Sequence, residues 1–298
     1  MPFPSRLTAA SAAAAITLLA SACDASTSPA GTAAGDAPTP VATASFAAGT
    51  TMAKITKAGK LRVGVKFDHP QLSQKNLKGE LQGFEADMIR YIAAQLGLKP
   101  NQIEFIETSS DNREQFLQQN KVDMVVATMS ITPERQKVIS FAGPYLSVRQ
   151  DLVVKKGNPQ HLKSPQNPSG TKICSTLGGA VSQVTRETYP KANLVEFDAS
   201  SKCIEALKNG SVDALATQNL IGASYVSQDP GSLQLLGAPY GQENWGVGIR
   251  KDDTAFCQFI DKALAKFSQD GSYKKAWDAS LGRYVTTQQK LPQPIACS

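Results

Sequence analysis

KVDMVVATMSITPERQKVISFAGPYL, residues 121–146, decides how this chain is read. It opens as a buried strand, with Val122, Met124, Val125 and Val126 in a nearly continuous apolar run. Thr128, Met129 and Ser130 then break the run with a small polar patch. Thr132 stands where a helix N-cap belongs, and Pro133 takes the first helical position. Arg135 therefore falls in the first turn of a helix, just beyond the end of a strand. A cation gains nothing from the helix dipole there, because that end favours anions. Hydroxyls, open amides and a guanidinium make chemical sense together if a carboxylate docks among them. The competing reading is a strand–turn–helix whose Arg135 pairs with a surface acid.

Working outward, strands and helices alternate. Leu61–Val65 reads as a strand that runs into the loop Lys66–Pro70. A helix over about Ala86–Leu96 carries Met88, Ile89, Ile92 and Leu96 on one face and is closed by Gly97. Ile103–Ile106 is a strand, followed by the loop Thr108–Asn112 and a helix from about Arg113. This pattern predicts an α/β fold with a largely parallel sheet. Ligands of such sheets sit beyond the carboxyl ends of the strands, where Lys66, the 108–113 loop and Thr128–Ser130 all fall.

After Tyr145 the pattern restarts. Asp151–Lys155 is a strand, and a Pro/Gly/Asn-rich surface segment follows to Gly170. A second set comprises strand Lys172–Thr176, Gly178-Gly179 with a helix to about Tyr189, and strand Asn193–Phe197. Helix Ser201–Asn209 and strand Val212–Ala216 complete it. LQQNKVD (117–123) and LKNGSVD (207–213) echo each other as helix end, turn and strand start. Two similar lobes explain the echo economically. Gln242–Ile249 is extended, and amphipathic helices follow at about Thr254–Gln269 and Ser272–Ser280. If these pack on the first lobe, the chain crosses between lobes twice and forms a hinge.

The 298 residues are 41% hydrophobic and 19% charged, with a net charge of +6 from scattered basic residues. No basic run with interleaved aromatics occurs, which argues against a nucleic-acid partner. Residues 1–22 carry Arg6 and an Ala/Leu/Ile-rich run ending in small residues, the pattern of a secretory signal peptide. Cys23 then sits as in a bacterial lipobox and is expected to carry the lipid, although Ala20 takes the place of the usual Leu. Two acyl chains on it would anchor the protein without a spanning helix. Asp24 to about Thr50 is Ala, Ser, Thr, Gly and Pro, a flexible tether in composition. The remaining cysteines, Cys174, Cys203, Cys257 and Cys297, have no CxxC spacing, so no metal site is expected. They leave three disulfide pairings open, of which Cys174–Cys203 with Cys257–Cys297 is preferred. His69 and His161 lie in turn segments; for His69 a surface turn is preferred over an approach to the site beside Lys66.

Six pieces taken in order resemble one family: VGVKFDHP (63–70), GFEADMIRYIAAQLG (83–97), NREQFL (112–117), the opening stretch, CIEALKNGSVDAL (203–215) and ENWGVGIRKDD (243–253). The chain resembles the amino-acid-binding, family 3, extracytoplasmic solute-binding proteins of ABC importers, most closely the glutamate-binding lipoproteins of actinobacteria. The resemblance implies a two-lobed periplasmic-binding-protein fold with two crossover strands and a ligand cleft. Its domains would be a signal peptide (1–22), the lipidated Cys23 and tether (23–50), and a C-terminal tail (286–298). Lobe one would be 51–147 with 246–285, and lobe two 148–245.

It also implies residue roles. Arg135 would hold the ligand α-carboxylate with Thr128, Met129 and Ser130 around it, while Lys66 and Arg113 would hold a side-chain carboxylate. Gly178, Gly179 and Gln218 would contribute from lobe two. Two departures stand out. Gln218 takes the place of an Asp that pairs with the ligand ammonium, and Gly178-Gly179-Ala180 lacks the usual hydroxyl-bearing Thr. The expected partners are a small acidic amino acid, glutamate or aspartate, with glutamine or a deaminated diacid left open, and an ABC permease with its ATPase. The protein would be a monomer on the outer face of the membrane, with no cofactor and no catalysis. A sensor reporting to a membrane signalling partner is the first alternative. The second, a dehydratase-like enzyme, lacks a carboxylic acid at the matched site positions.

Overall fold

The computed structural model describes residues 38–41, 44–163, 170–285 and 289–297. The predicted signal peptide and Cys23 lie outside the described residues.

Helix α1 (Thr51–Ala58), unforeseen in the sequence, is capped by the Thr50 hydroxyl and ends at Gly59 in the left-handed region. Strand β1 (Leu61–Val65) follows, then a small antiparallel sheet of β2 (Asp68–His69), β3 (Ser73–Lys75) and β4 (Leu81–Gln82) where only a loop was expected. Helix α2 (Phe84–Gln95) starts two residues earlier than its apolar stripe suggested. Gly83 makes the early start possible: its φ is +116°, and a Cβ there would meet the Leu72 carbonyl oxygen at 2.5 Å. Strand β5 (Ile103–Glu107), α3 (Arg113–Gln118), β6 (Met124–Val125) and the short α4 (Pro133–Gln136) complete the first run. The strand seen in Val122–Val126 thus shrinks to two residues, although the whole run is buried.

Strand β7 is the largest departure. It runs unbroken over seventeen residues, Ile139–Lys155, through Gly143-Pro144, where a strand was expected only over Asp151–Lys155. The second run is β8 (Lys172–Thr176), α5 (Ala180–Thr188), β9 (Asn193–Phe197), α6 (Ser200–Asn209), β10 (Ala214–Gln218), α7 (Asn219–Gln228) and β11 (Leu233–Leu235). Strand β10 lies two residues later than Val212–Ala216. Strand β12 (Tyr240–Arg250) then leads into α8 (Thr254–Gln269) and α9 (Ser272–Ala279).

The strands hydrogen-bond in the order β5-β1-β6-β12-β7-β10-β8-β9, with β11 on β7. From Ile139↔Arg250 to Gln150↔Tyr240, β7 pairs with β12, with register shifts on the way. Its second half pairs with β10 and β11. Long β7 and β12 are therefore the two crossover strands between two α/β lobes. Each lobe has a parallel core, β5-β1-β6 in one and β9-β8-β10 in the other.

Helices α8 and α9 return to α2, where Phe84 meets Tyr273 edge-on at 5.1 Å and Trp277 at 6.2 Å. Each such side chain removed from water contributes roughly 1.5–3 kcal/mol. Two disulfides join Cys174 to Cys203 and Cys257 to Cys297, with Cα atoms 5.6 and 5.8 Å apart. Both ends of the folded part are tied down. Val41 N donates to Ala94 O at 2.9 Å and Phe46 packs edge-on against Phe259, so the segment read as tether docks before residue 50. Ile295 N donates to Gly143 O at 2.8 Å, next to the Cys297 bridge. No described helix is long and apolar enough to cross a membrane.

Candidate functional site

A small cavity, with about 30 Å³ of free space, lies between the lobes, at the carboxyl ends of the parallel strands. Lobe one lines it with His69, Ser110, Arg113, Thr128 and Ser130, and lobe two with residues around Ser175–Val181 and Ala216–Gln218. Its free space is far below the roughly 300–1,000 Å³ common for small-molecule sites, so the lobes stand closed on the cleft here.

The lobe-one wall is cationic. Arg113 opens α3, is 2% exposed, and donates from Nη1 to Ala127 O at 2.8 Å. Its Nε has no partner, and among the described residues it forms no ion pair. Burial and the nearby Arg135 charge push its guanidinium below the usual arginine range. Lys66, at the end of β1, is 3% exposed, so a solvated loop charge is excluded for it. Burial, then Arg113, push its ammonium down to about 8, against the pull of Asp68, Asp111 and Glu107. Lys66 stands behind the cavity lining.

Thr128 is held in a strained turn. Its φ is +47°, uncommon for a β-branched residue. Glu85, fully buried on α2, fixes that turn by accepting from Thr128 N at 2.7 Å, from Ser73 Oγ at 3.0 Å and from the Tyr145 hydroxyl. His69 completes this wall, and its reading as a surface residue is corrected: it is 3% exposed. Its Nδ1 lies 3.3 Å from Thr128 Oγ1 and its Nε2 3.3 Å from Ser200 Oγ. Burial pushes the imidazole down to about 4, so it is neutral between these hydroxyls at neutral pH.

Besides Lys66, three residues of the predicted set, Met129, Arg135 and Gly178, do not line the cavity. Met129 buries its side chain in the lobe-one core, near Gly248, leaving only its backbone toward β12. Arg135 is already bonded on three sides: to Glu114 Oε1 at 2.7 Å, to Ser130 O at 2.8 Å and across the lobes to Gly178 O at 3.0 Å. Gly178 in turn presses on lobe one. With φ of +73°, a Cβ there would stand 2.6 Å from Asp111 Cα. The pair acts as a lobe-to-lobe clasp. A second clasp is Asp68, whose carboxylate accepts from Ser201 N at 3.0 Å and whose carbonyl accepts from Tyr225 OH at 2.5 Å.

The lobe-two wall is neutral, but a carboxylate stands behind it. Gln218 lines the cavity, and its Nε2 donates to Glu243 Oε2 at 2.9 Å. Ser130 Oγ donates to the same oxygen at 2.5 Å, and the Gln150 amide donates to Glu243 Oε1. Sequence reasoning placed no acid here. Glu243 belongs to β12, just after a register shift between Tyr240 and Glu243, and extended sequence alone does not reveal where such a shift aims a side chain. Among the described residues, one group has metal-ligand potential: Cys257, Asp261 and Cys297. Its two sulfurs are bonded to each other.

Residues 61–282 match the family of bacterial extracellular solute-binding proteins, family 3. The chain is 33% identical over 233 residues to the glutamate-binding protein GluB of Corynebacterium efficiens, covering 75% of this chain and 79% of the relative. It is 34% identical over 229 residues to the glutamine-binding protein GlnH of Bacillus subtilis, covering 76% and 83%. Among solved structures, an ancestral arginine-binding protein bound to glutamine superposes with a TM-score of 0.70 at 35% identity, covering 75% of this chain and 98% of that one. An ancestral amino-acid-binding protein, a precursor of cyclohexadienyl dehydratase, gives 0.72 at 30% identity, covering 78% and 100%.

Proposed function

The chain belongs to the bacterial extracellular solute-binding proteins, family 3, and from that premise we propose that it captures glutamate or aspartate between its lobes and presents it to an ABC permease and ATPase. The observation that carries the acidic specificity is Arg113. A guanidinium that is 2% exposed, lines the cavity, and has among the described residues a free Nε and no carboxylate partner is costly unless an anion meets it. Lys66 adds a second buried charge beside it. A cationic ligand would be repelled by this wall, and a neutral side chain such as that of glutamine would leave it uncompensated. The likeness to GluB supports the same choice. Asp68–Ser201 and Arg135–Gly178 close the cleft between lobes 51–147 with 246–285 and 148–245, hinged on β7 and β12. We further propose that Cys23 carries the lipid that holds a monomer at the outer membrane face.

Isothermal titration of residues 24–298 with glutamate, aspartate, glutamine and arginine tests the ligand. Acidic amino acids should bind at least about 10-fold tighter than glutamine, the value of one charge-assisted contact, and arginine should give no heat. Tighter binding of glutamine or arginine than of both acids would overturn the assignment.

A further inference from the structure

We propose that Gln218 and Glu243 form a relayed cation receptor: Glu243 turns the Gln218 amide so that its carbonyl oxygen meets the ligand ammonium, and the pair thereby selects amino acids over diacids lacking one. The inference rests on the reading of the cleft as an acidic amino-acid site.

The orientation follows from donor and acceptor chemistry. A carboxylate accepts hydrogen bonds, so the Gln218 end facing Glu243 Oε2 at 2.9 Å has to be the amide nitrogen. That nitrogen also lies 3.4 Å from Ser130 Oγ. Its planar partner, Oε1, is then directed elsewhere and takes no hydrogen bond among the described residues. Gln218 is 6% exposed and lines the cavity, so the unengaged oxygen belongs to a buried group beside the ligand space. Donation of the amide hydrogen to a carboxylate polarises the carbonyl further, which strengthens it as an acceptor.

Glu243 is itself held in place. Ser130 and Gln218 converge on one oxygen and Gln150 on the other, and Gln150 faces Gln218 directly across the β7–β10 pairing. These donors come from lobe one, from lobe two and from a crossover strand, so the carboxylate sits where the lobes meet. Across the cavity stands Arg113. One wall therefore offers a cation and the other offers acceptor oxygen backed by negative charge, an arrangement that fits a zwitterion. A diacid without an ammonium would meet the cationic wall equally well but would leave the Gln218 oxygen desolvated and unpaired, and an unmet buried polar group discriminates strongly.

The test compares Kd for L-glutamate and 2-oxoglutarate in wild type, in Glu243→Gln, and in Glu243→Gln combined with Gln218→Asp. Wild type should prefer glutamate by about 100-fold or more, as expected when a site built for hydrogen bonding meets an analogue lacking the group. Glu243→Gln should cut that preference to below about 10-fold, with 2-oxoglutarate affinity changed by less than about 3-fold. The double variant, with a carboxylate placed directly at 218, should restore the preference. A purely structural role would weaken both ligands together, and that result overturns the proposal, as does an unchanged preference in Glu243→Gln. Equal binding of the two ligands by wild type overturns it as well. If wild type binds no acidic amino acid, the reading of the cleft falls and this inference falls with it.

Discussion

The two lobes share one joint and differ at the other end of the same strands. Asp123 N donates to Arg62 O at 2.8 Å and its carboxylate accepts from Arg62 N at 2.8 Å. In lobe two, Asp213 N donates to Lys172 O at 2.8 Å and its carboxylate accepts from Lys172 N at 2.8 Å. The echo of LQQNKVD in LKNGSVD is thus one piece of mechanics used twice, fastening the third strand of each lobe to the first. At the carboxyl ends the likeness stops. Lobe one presents Arg113 with Lys66 behind it, and lobe two presents Gln218 with Glu243 behind it. The joint is dictated by backbone pairing, which both lobes need equally, whereas the strand ends are free to carry different chemistry.

That contrast can be broken most severely at Arg113. Arg113→Leu removes the buried cation that lines the cavity and should weaken glutamate binding by about 100-fold or more, in line with the roughly 2–5 kcal/mol lost when one partner of a desolvated charge pair is truncated. Titration calorimetry reads this, and retained affinity would mean that the cationic wall does not meet the ligand. Arg135→Ala should cost less, about 30-fold, because Arg135 acts here through its clasp on Gly178. Small-angle scattering with saturating glutamate should show a larger radius than wild type. Equal radii and equal affinity would remove the clasp from the account.

Lys66→Met should cost about 10-fold at pH 7, the smallest effect of the three. Its signature is pH dependence. The Lys66 ammonium sits at about 8, and a bound anion favours its charged form, so glutamate binding should take up protons near pH 8 and weaken as pH rises through it. Folding stability runs the opposite way. The unfolded chain, with this lysine at 10.5, binds more protons than the folded one between about pH 8 and 10.5, so this group's contribution to stability rises with pH there. Calorimetry in two buffers of different ionisation enthalpy would detect the uptake, which Lys66→Met should abolish.

Much of the molecule was legible along the chain because the signals are local. Apolar periodicity located α2, α8 and α9 within two residues, and the repeated Val-Asp strand start revealed the second lobe. Thr132 does cap α4, accepting from Arg135 N at 3.3 Å. Other features depend on partners distant in sequence. Strand β7 crosses Gly143-Pro144 because β12 pairs with it on both sides of that pair, between Ile139 and Gln150, and no local pattern encodes a partner about a hundred residues away. His69 looks like a turn residue until Ser200 and Thr128 close over it.

Periodicity and the repeated strand start carry the lobed α/β plan, since each is written in short runs whose physics is the chain's own, while the family and the cationic residues follow from the resemblance of six longer pieces. Which of those groups line the interlobe cavity is decided only in three dimensions. Arg135 is drawn onto Glu114 and Gly178, Arg113 forms no ion pair among the described residues beside the cavity, and Glu243 arrives from a crossover strand to stand behind the opposite wall. The reason is that a buried charge takes its role from whatever neutralises it, and that neighbour comes from another lobe.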